Sequence, residues 1–306
     1  MRQWIAAEFW RGGTSKGLFF RARDLPADVA EADALMLAAI GSPDPNGRQL
    51  DGMGGGISSL SKGVIIGPPT RPDADLDYTF AQLSVDRAVA DRSGNCGNLS
   101  AAVGPFAVDA GLVRAENGEA LVRIHQCNTG RIIESRFAVR DGMADAAGDY
   151  AIDGVAGTGA RIRLDFLDPG GSATGALLPT GRAVDLITVP GAGSFAASLV
   201  DAAAPVAWLD AESVGLDGTE TPEQIENRAE LMALLDRIRR QAGVMMGMAA
   251  TPEAVPLLLP RVAVVAGPAG RATTPAFPPG RAPPLSPPAD ATNRAPPPAG
   301  CASPPA

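Results

Sequence analysis

The feature that most restricts the fold of this chain is a short helical segment with almost no polar face. Residues 99–110, LSAAVGPFAVDA, follow Asn98 and end just before Gly111. A helix that is apolar nearly all round must be buried, and a curved sheet wrapped around it provides that burial. Pro105, in the middle of the segment, predicts a kink or a shifted helix boundary.

Runs of apolar and β-branched residues, separated by glycine, proline, aspartate and asparagine, predict strands in the first 180 residues. They are residues 3–10, 17–21, 63–67, 78–85, 120–126, 131–139 and 160–166. An amphipathic helix is predicted over 27–40, with Asp24 just upstream, Pro26 near its first turn and Gly41 beyond its end. This part of the chain is therefore expected to form one domain, residues 1–181.

A second unit begins near residue 182. A chain of 306 residues is long enough for two domains. Its predicted strands are residues 183–189, 194–200, 204–210 and a buried strand at 261–267. Thr221, Pro222 and Gln224 resemble a capping box that starts a helix running to about Gly243. We expect residues 182–267 to be an incomplete second domain.

The composition changes abruptly after residue 267. Residues 268–306 hold nearly half of the 28 prolines and contain no Val, Ile, Lys or Glu. A segment with so little to bury cannot compensate for the entropy lost on ordering. We predict a disordered tail, which is either an evolved linker or the product of a frameshift in a GC-rich gene.

Charge and composition exclude several classes of function. A net charge of −8 argues against nucleic acid or an anionic membrane as the main partner, but allows a small anionic substrate. Cys96, Cys127 and Cys301 form no disulfide framework, and a single histidine, His125, provides no metal-ligand set. Since neither a membrane span nor a signal peptide is recognisable, we expect a cytoplasmic location.

The first candidate for chemistry is Cys96, within the sequence SGNCGN at residues 93–98. It lies at the predicted start of the apolar helix, where unpaired N–H groups and the helix dipole favour a thiolate. The sequence therefore indicates a thiol acid, base or nucleophile in an anion-binding loop. The alternative is a buried structural cysteine beside Asn98, which would cap the helix.

The second candidate is Lys62, which follows the glycine-rich loop 51–56 and precedes a predicted strand. The spacing fits neither a P-loop nor a dinucleotide-binding fingerprint. Free backbone N–H groups in such a loop are able to bind an anion. Lys62 is then a base or an electrostatic clamp for a carboxylate, or alternatively a solvated lysine at the end of a strand.

A third loop, residues 11–17 (RGGTSKG), combines hydroxyls, cations and glycines, which predicts either an oxyanion-binding loop or an ordinary turn. Residues 157–159 form a weaker anion-binding candidate, and residues 128–130 are predicted to be a turn. His125 alternates with apolar neighbours and is expected to be a packed core histidine. Cys127, at the end of the same strand, is expected to be unreactive.

Four segments together resemble the PrpF family. They are RGGTSKG (11–17), DGMGGGISSLSK (51–62), SGNCGNLSAAVGPFA (93–107) and LLPTGRAVD (177–185), and the resemblance extends over about residues 1–267. It implies the α+β fold of diaminopimelate epimerase, in which two pseudosymmetric domains each wrap a curved sheet on a central helix. The active site of that fold lies in the cleft between the domains.

The resemblance also implies an activity that needs neither a cofactor nor a metal. Lys62 and Cys96 match the family's catalytic lysine and cysteine. The implied substrate-binding residues are Thr14, Ser15, Lys16, Gly54, Gly55, Ser61, Asn95, Gly97 and Asn98. The partner is a small anionic unsaturated carboxylate, and a homodimer is expected.

The expected reaction is the shift of an allylic proton, most simply the cis-trans isomerisation of 2-methylaconitate. The alternatives are 4-oxalomesaconate tautomerase, suggested by residues 152–160 (IDGVAGTGA), and methylitaconate isomerase. Family members extend beyond 306 residues, and the proline-rich tail stands where their second domain continues. A truncated, inactive member and an anion-binding module without turnover are therefore further alternatives.

Overall fold

A computed structural model describes residues 4–267 and arranges them as two β-sheets packed on helices. Predictions for residues 268–306, including Cys301, lie outside the described residues. The strands are β1 (Glu8–Gly12), β2 (Ser15–Arg21), β3 (Lys62–Gly67), β4 (Leu76–Leu83), β5 (Ala90–Asp91), β6 (Gly118–Gln126), β7 (Arg131–Arg140), β8 (Met143–Ala144), β9 (Ile162–Phe166), β10 (Asp185–Val189), β11 (Gly193–Asp201), β12 (Pro205–Asp210) and β13 (Arg261–Val265). The helices are α1 (Val29–Ile40), α2 (Gly97–Ser100), α3 (Val103–Asp109), α4 (Pro222–Glu226) and α5 (Ala229–Met245). None of these helices combines the length and apolarity that a membrane crossing requires.

The first sheet has nine strands, with the main order β1-β2-β3-β4-β6-β7-β8; β5 pairs with β4, and β9 pairs with β7. Most neighbours are antiparallel, but β2 pairs in parallel with β3, and β4 with β6. The strands expected from the sequence are present to within a few residues, except that the first begins at Glu8 and not at residue 3. The α+β class is therefore confirmed.

The buried apolar helix is confirmed, but it is two helices and not one. α2 ends at Ser100 and α3 begins at Val103. Pro105 does not cause the break, because it occupies the third position of α3, where a missing N–H breaks no helical hydrogen bond. Phe106 packs between Trp10 and Phe19, with ring centroids 5.9 Å and 5.3 Å away. The helical segment is thus fixed against β1 and β2.

The opposite face of the first sheet is covered by α1. The prediction for its C-terminus is confirmed, since Gly41 adopts a left-handed conformation there. The predicted start at residue 27 is two residues early: α1 begins at Val29, and Asp28 is the cap, which accepts a 2.9 Å hydrogen bond from the Glu31 N–H. Met36 and Ile40 are buried between α1 and the sheet. Each face of this sheet therefore has its own apolar cluster.

The second sheet has the order β10-β11-β12-β13, and α5 packs on one face through Leu231, Ile238 and Ala242. The capping box at Thr221 is confirmed, but the helix that it starts, α4, ends at Glu226 and α5 follows separately. The strand predicted at 261–267 is present as β13, but it is not buried. Among residues 4–267 it pairs only with β12, at the edge of the sheet, and it is half-exposed.

Candidate active site

Lys62 is the first residue of β3, and it is buried, with a relative exposure of 6%. It is therefore not the solvated lysine of the alternative interpretation. Its Nζ donates a 2.6 Å hydrogen bond to Oε1 of Gln82, which lies directly opposite on β4. The same nitrogen lies 5.2 Å from the centre of the Phe80 ring. The antiparallel register of β3 and β4 thus places an amine beside a neutral acceptor and an aromatic face.

Burial lowers the pKa of Lys62 below its ordinary value of 10.5. The nearby Cys96 opposes this shift by favouring the ammonium form, whereas the positive charge of Arg261 adds to it. Burial is the largest of these effects, so the neutral amine is more accessible than in a free lysine. A general base must carry a lone pair near the working pH, and the environment of Lys62 moves it in that direction.

Cys96 is buried against the same face of the sheet as Lys62 and itself occupies the N-cap position of α2. Its Sγ lies 4.0 Å from Oγ of Ser15. The Asn95 side chain accepts a 2.7 Å hydrogen bond from the Cys96 N–H, which holds the loop in its turn. The predicted cap at Asn98 is wrong, because Asn98 lies inside α2 and its Nδ2 donates to Oγ1 of Thr14 at 3.0 Å.

The RGGTSKG loop is the turn between β1 and β2, and it lies against the NCGN loop. A Cβ added to Gly12 would come within 2.3 Å of the Asn98 carbonyl oxygen, so the two loops touch through backbone. Ser15 is buried towards Cys96, and Thr14 is exposed beside Asn98. The loop is therefore a turn, as one interpretation predicted, and it also lies close to the thiol of Cys96.

Lys16, expected to bind substrate, does not lie beside Cys96 and Lys62. Successive side chains of a strand point to opposite faces. Since Ser15 faces Cys96, Lys16 faces the α1 side, where its Nζ lies 5.2 Å from the centre of the Phe9 ring. Lys62 is therefore the lysine that shares a face with the thiol.

The glycine-rich loop 51–56, which was predicted to bind an anion, makes hydrogen bonds within the protein. The Met53 and Gly54 N–H groups donate to the last carbonyls of α1, and the Gly56 N–H donates to Oε1 of Gln49. These donors are therefore occupied and do not form an open anion nest. A Cβ on Gly54 would come within 2.2 Å of Gln49 Oε1, and one on Gly55 would come within 2.6 Å of Leu60. The glycines allow the loop to close around its own side chains.

Ser61 also differs from its prediction. It is fully buried, and its single hydroxyl proton is shared between Oε1 of Gln49 at 2.7 Å and the Ile57 carbonyl at 2.8 Å. A hydroxyl held in this way supports the chain before Lys62 and does not face a substrate. Gln49 and Gln82 were missed by the sequence analysis, because an isolated glutamine carries no motif and its role depends on register.

The segment between α5 and β13 reaches the loop that carries Cys96. The Leu258 N–H donates to the Asp91 carboxylate at 3.2 Å, and a Cβ on Gly94 would meet Leu259 at 3.3 Å. Arg261, two residues further, is the cation that lowers the pKa of Lys62. Both sheets therefore contribute to the surroundings of Lys62 and Cys96.

The remaining candidates lie elsewhere. His125 is not a core residue as predicted, because it is partly exposed and its Nδ1 lies 2.9 Å from Oδ1 of Asp77. Burial raises the pKa of the Cys127 thiol, which does not favour a reactive thiolate. Residues 128–130 form the predicted turn, and in the 157–159 loop Gly159 bridges to Tyr150. These groups are not part of the Lys62 and Cys96 site.

Comparisons with known proteins identify relatives of this chain. The family model described as PrpF protein matches residues 2–276. The chain is 48% identical over 247 residues to the 3-methylitaconate isomerase of Eubacterium barkeri, covering 81% of this chain and 64% of that protein. It is 47% identical over 244 residues to the 2-methyl-aconitate isomerase of Cupriavidus necator, covering 76% and 61%. The crystal structure of a methylitaconate-delta-isomerase superposes with a TM-score of 0.62 at 47% identity, covering 81% and 64%. The chain thus spans somewhat less than two thirds of the length of these relatives.

Proposed function

The chain belongs to the PrpF family, and on that basis we propose that it is an isomerase that moves an allylic proton in an unsaturated di- or tricarboxylate. The observation that carries this proposal is the pairing of a buried lysine of lowered pKa with a buried thiol on one face of the first sheet. Proton transfer of this kind needs two groups that exchange a proton near neutral pH.

In the proposed reaction, the neutral amine of Lys62 removes a proton from the carbon next to the double bond. The electrons of that C–H bond move into the conjugated system, which becomes a dienolate, and Lys62 becomes an ammonium. Gln82 Oε1 accepts a hydrogen bond from this ammonium, and the ring of Phe80 lies beside it. Rotation about the bond that has become single then changes the geometry of the intermediate.

A proton returns to the far carbon from the Cys96 thiol or from Lys62 itself, and the double bond is restored. The number of protons and electrons is unchanged, so the reaction needs no cofactor. Thr14, Asn98 and Arg261 supply hydrogen-bond donors and positive charge for the substrate carboxylates around the pair. The positive charge on the Lys62 ammonium and the negative charge on the dienolate then lie next to each other, so each stabilises the other.

The substrate that we propose is 2-methylaconitate, which is supported by the relative from Cupriavidus necator. The relative from Eubacterium barkeri favours a second candidate, 3-methylitaconate. 4-Oxalomesaconate stays an alternative from the sequence analysis. A homodimer and a cytoplasmic location likewise stay predictions.

Proton NMR in D₂O tests the proposal directly. The purified full chain is mixed in separate tubes with 2-methylaconitate, 3-methylitaconate and 4-oxalomesaconate, and deuterium entry at the allylic carbon is followed. We expect exchange together with isomerisation, and a loss of roughly 10²–10⁴-fold in Lys62→Ala. A folded protein that exchanges none of the three acids, or a Lys62→Ala protein with unchanged turnover, would contradict the proposal.

A further inference from the structure

Three side chains with metal-binding chemistry lie close together on the first sheet, on the face opposite the core that contains Cys96. One donor atom of each of Asp77, His125 and Cys127 lies within 4.8 Å of the other two. His125 Nδ1 is 2.9 Å from Asp77 Oδ1 and 3.9 Å from Cys127 Sγ. The side chains of Asp77 and His125 are 14% and 13% exposed, so the cluster is accessible but not fully solvated.

The parallel pairing of β4 and β6 creates this cluster. Asp77 and His125 are register partners, although they are 48 positions apart in sequence. Cys127 lies just past the end of β6, two residues after His125, and its Sγ is 3.9 Å from His125 Nδ1. Its N–H donates to the Tyr78 carbonyl at 2.8 Å, which holds the end of β6 against β4. The site is not recognisable from sequence because Asp77 lies 48 positions from His125, and one histidine and one cysteine alone form no metal-binding motif.

From this geometry we infer that Asp77, His125 and Cys127 form a zinc-binding site, with water in the fourth position. Carboxylate oxygen, imidazole nitrogen and thiolate sulfur are the three ligand types that zinc takes in proteins. A tetrahedral zinc ion separates such donors by roughly 3.3–3.7 Å. The observed separations of 2.9 Å and 3.9 Å bracket that range, so small side-chain movements complete the site.

One neighbouring residue orients the cluster. The Thr70 N–H donates to Asp77 Oδ1 at 3.0 Å, and the Thr70 hydroxyl lies 3.3 Å from His125 Nδ1. Thr70 thus holds one of the proposed ligands in place. Asp73 adds no net negative charge, because it is paired with Arg71 at 2.7 Å. On binding, the Cys127 thiol gives its proton to solvent, and the zinc–sulfur bond replaces the S–H bond.

This site is separate from the proposed active site. Tyr78, the residue after Asp77, is buried in the core that contains Cys96. Because neighbouring residues of a strand face opposite sides of the sheet, Asp77 faces away from Cys96. A failure of the zinc proposal therefore leaves the proposed isomerase unaffected, and the reverse is also true.

Cobalt substitution tests the proposal. Full-length protein, with any affinity tag removed because His125 is the single histidine, is stripped of metal and titrated with Co²⁺ and then Zn²⁺. We expect one equivalent of Co²⁺ to give a thiolate-to-cobalt absorption band that Zn²⁺ abolishes. Cys127→Ser should remove the band, and Asp77→Asn and His125→Asn should weaken Zn²⁺ binding more than roughly tenfold. The matched variants Cys96→Ser, Cys301→Ser and Asp86→Asn should retain the band.

The single imidazole provides a measurement that needs no substitution. In the wild-type protein, the ring signals of His125 should shift on addition of one equivalent of Zn²⁺. Unshifted signals, the absence of a cobalt band, or a band that survives in Cys127→Ser would each overturn the proposal. Circular dichroism of every variant establishes that a lost band does not reflect unfolding.

Discussion

The amine of Lys62 donates a 2.6 Å hydrogen bond to the side-chain oxygen of Gln82, and the other end of that amide is fixed as well. Gln82 Nε2 donates to the carbonyls of Ser58 and Ser61 at 2.9 Å and 3.0 Å. These two bonds determine which end of the amide faces Lys62, because carbonyl groups only accept. Gln82 is thus held as a neutral acceptor beside the proposed base.

The first prediction concerns the pH dependence of the reaction. Lys62 acts as a base only when deprotonated, and burial lowers its pKa below 10.5. Activity should therefore rise with pH through a midpoint below 10.5. Measurement of kcat/KM against pH reports this pKa in the free enzyme. A rising limb at or above 10.5 would contradict the role of burial at Lys62.

The second prediction changes the partner of that base. Gln82→Glu places a negative charge beside the Lys62 amine, which favours the ammonium and raises its pKa. The rising limb of kcat/KM should move to higher pH, and activity at neutral pH should fall. Gln82→Met, similar in size but uncharged, serves as the control and should not move the limb upward. A Gln82→Glu profile identical to that of the wild type would show that Lys62 is not the group that titrates.

The third prediction compares two cysteines. Cys96→Ser replaces a thiol with a much weaker acid at the proposed site, and turnover should fall by roughly 10²–10⁴-fold. Cys127→Ser, on the opposite face of the sheet, should keep its turnover. Both variants are assayed by allylic deuterium exchange, with thermal unfolding as a check on folding. Equal losses in the two variants would argue against a specific role of Cys96.

The fourth prediction tests the packing of the buried helix. A Cβ at Gly104 would lie 2.7 Å from both Phe137 and the Ser135 hydroxyl, in a fully buried position. Gly104→Ala should therefore lower the free energy of unfolding by about 1–3 kcal/mol. Gly67→Ala, where the nearest atom is 3.4 Å away, is the control and should change it much less. Urea denaturation at constant pH provides the comparison.

The fifth prediction concerns a buried carboxylate at the end of β11. Asp201 is fully buried and accepts hydrogen bonds from the Ser172 hydroxyl and from the Ala173 and Thr174 N–H groups. Asp201→Asn replaces an acceptor with an NH₂ group that faces these donors, so unfolding should become easier by about 1–3 kcal/mol. The exposed Asp149→Asn is the control. Equal stability of both variants in urea would show that the carboxylate is not required to hold this loop.

Much of the fold was predictable because hydrophobic periodicity and glycine or proline turns mark the strands directly. The buried segment at 99–110 is the clearest example, since its composition alone requires burial on all sides. Its division into α2 and α3 was not predictable, because the break at residues 101–102 has no glycine or proline. Local chain signals identify elements better than their ends.

The site was predictable only in part. Lys62 and Cys96 stand in loops of unusual composition, which is why they were found. The face that a strand residue occupies depends on where the strand begins, so the sequence alone did not show that Lys16 and Cys96 lie on opposite faces. Gln82 and the Asp77–His125 pair depend on strand register, which long-range pairing determines.

The hydrogen bond between Leu258 and Asp91 joins residues that are 167 positions apart, and this has a consequence for biosynthesis. A ribosome makes the residues of β3, which begins at Lys62, and of the loop that carries Cys96 before any strand of the second sheet. That loop gains its packing against Gly94 and its bond at Asp91 only after residues 258 and 259 have left the ribosome. The surroundings of the thiol are therefore completed late in translation, after the residues that they surround.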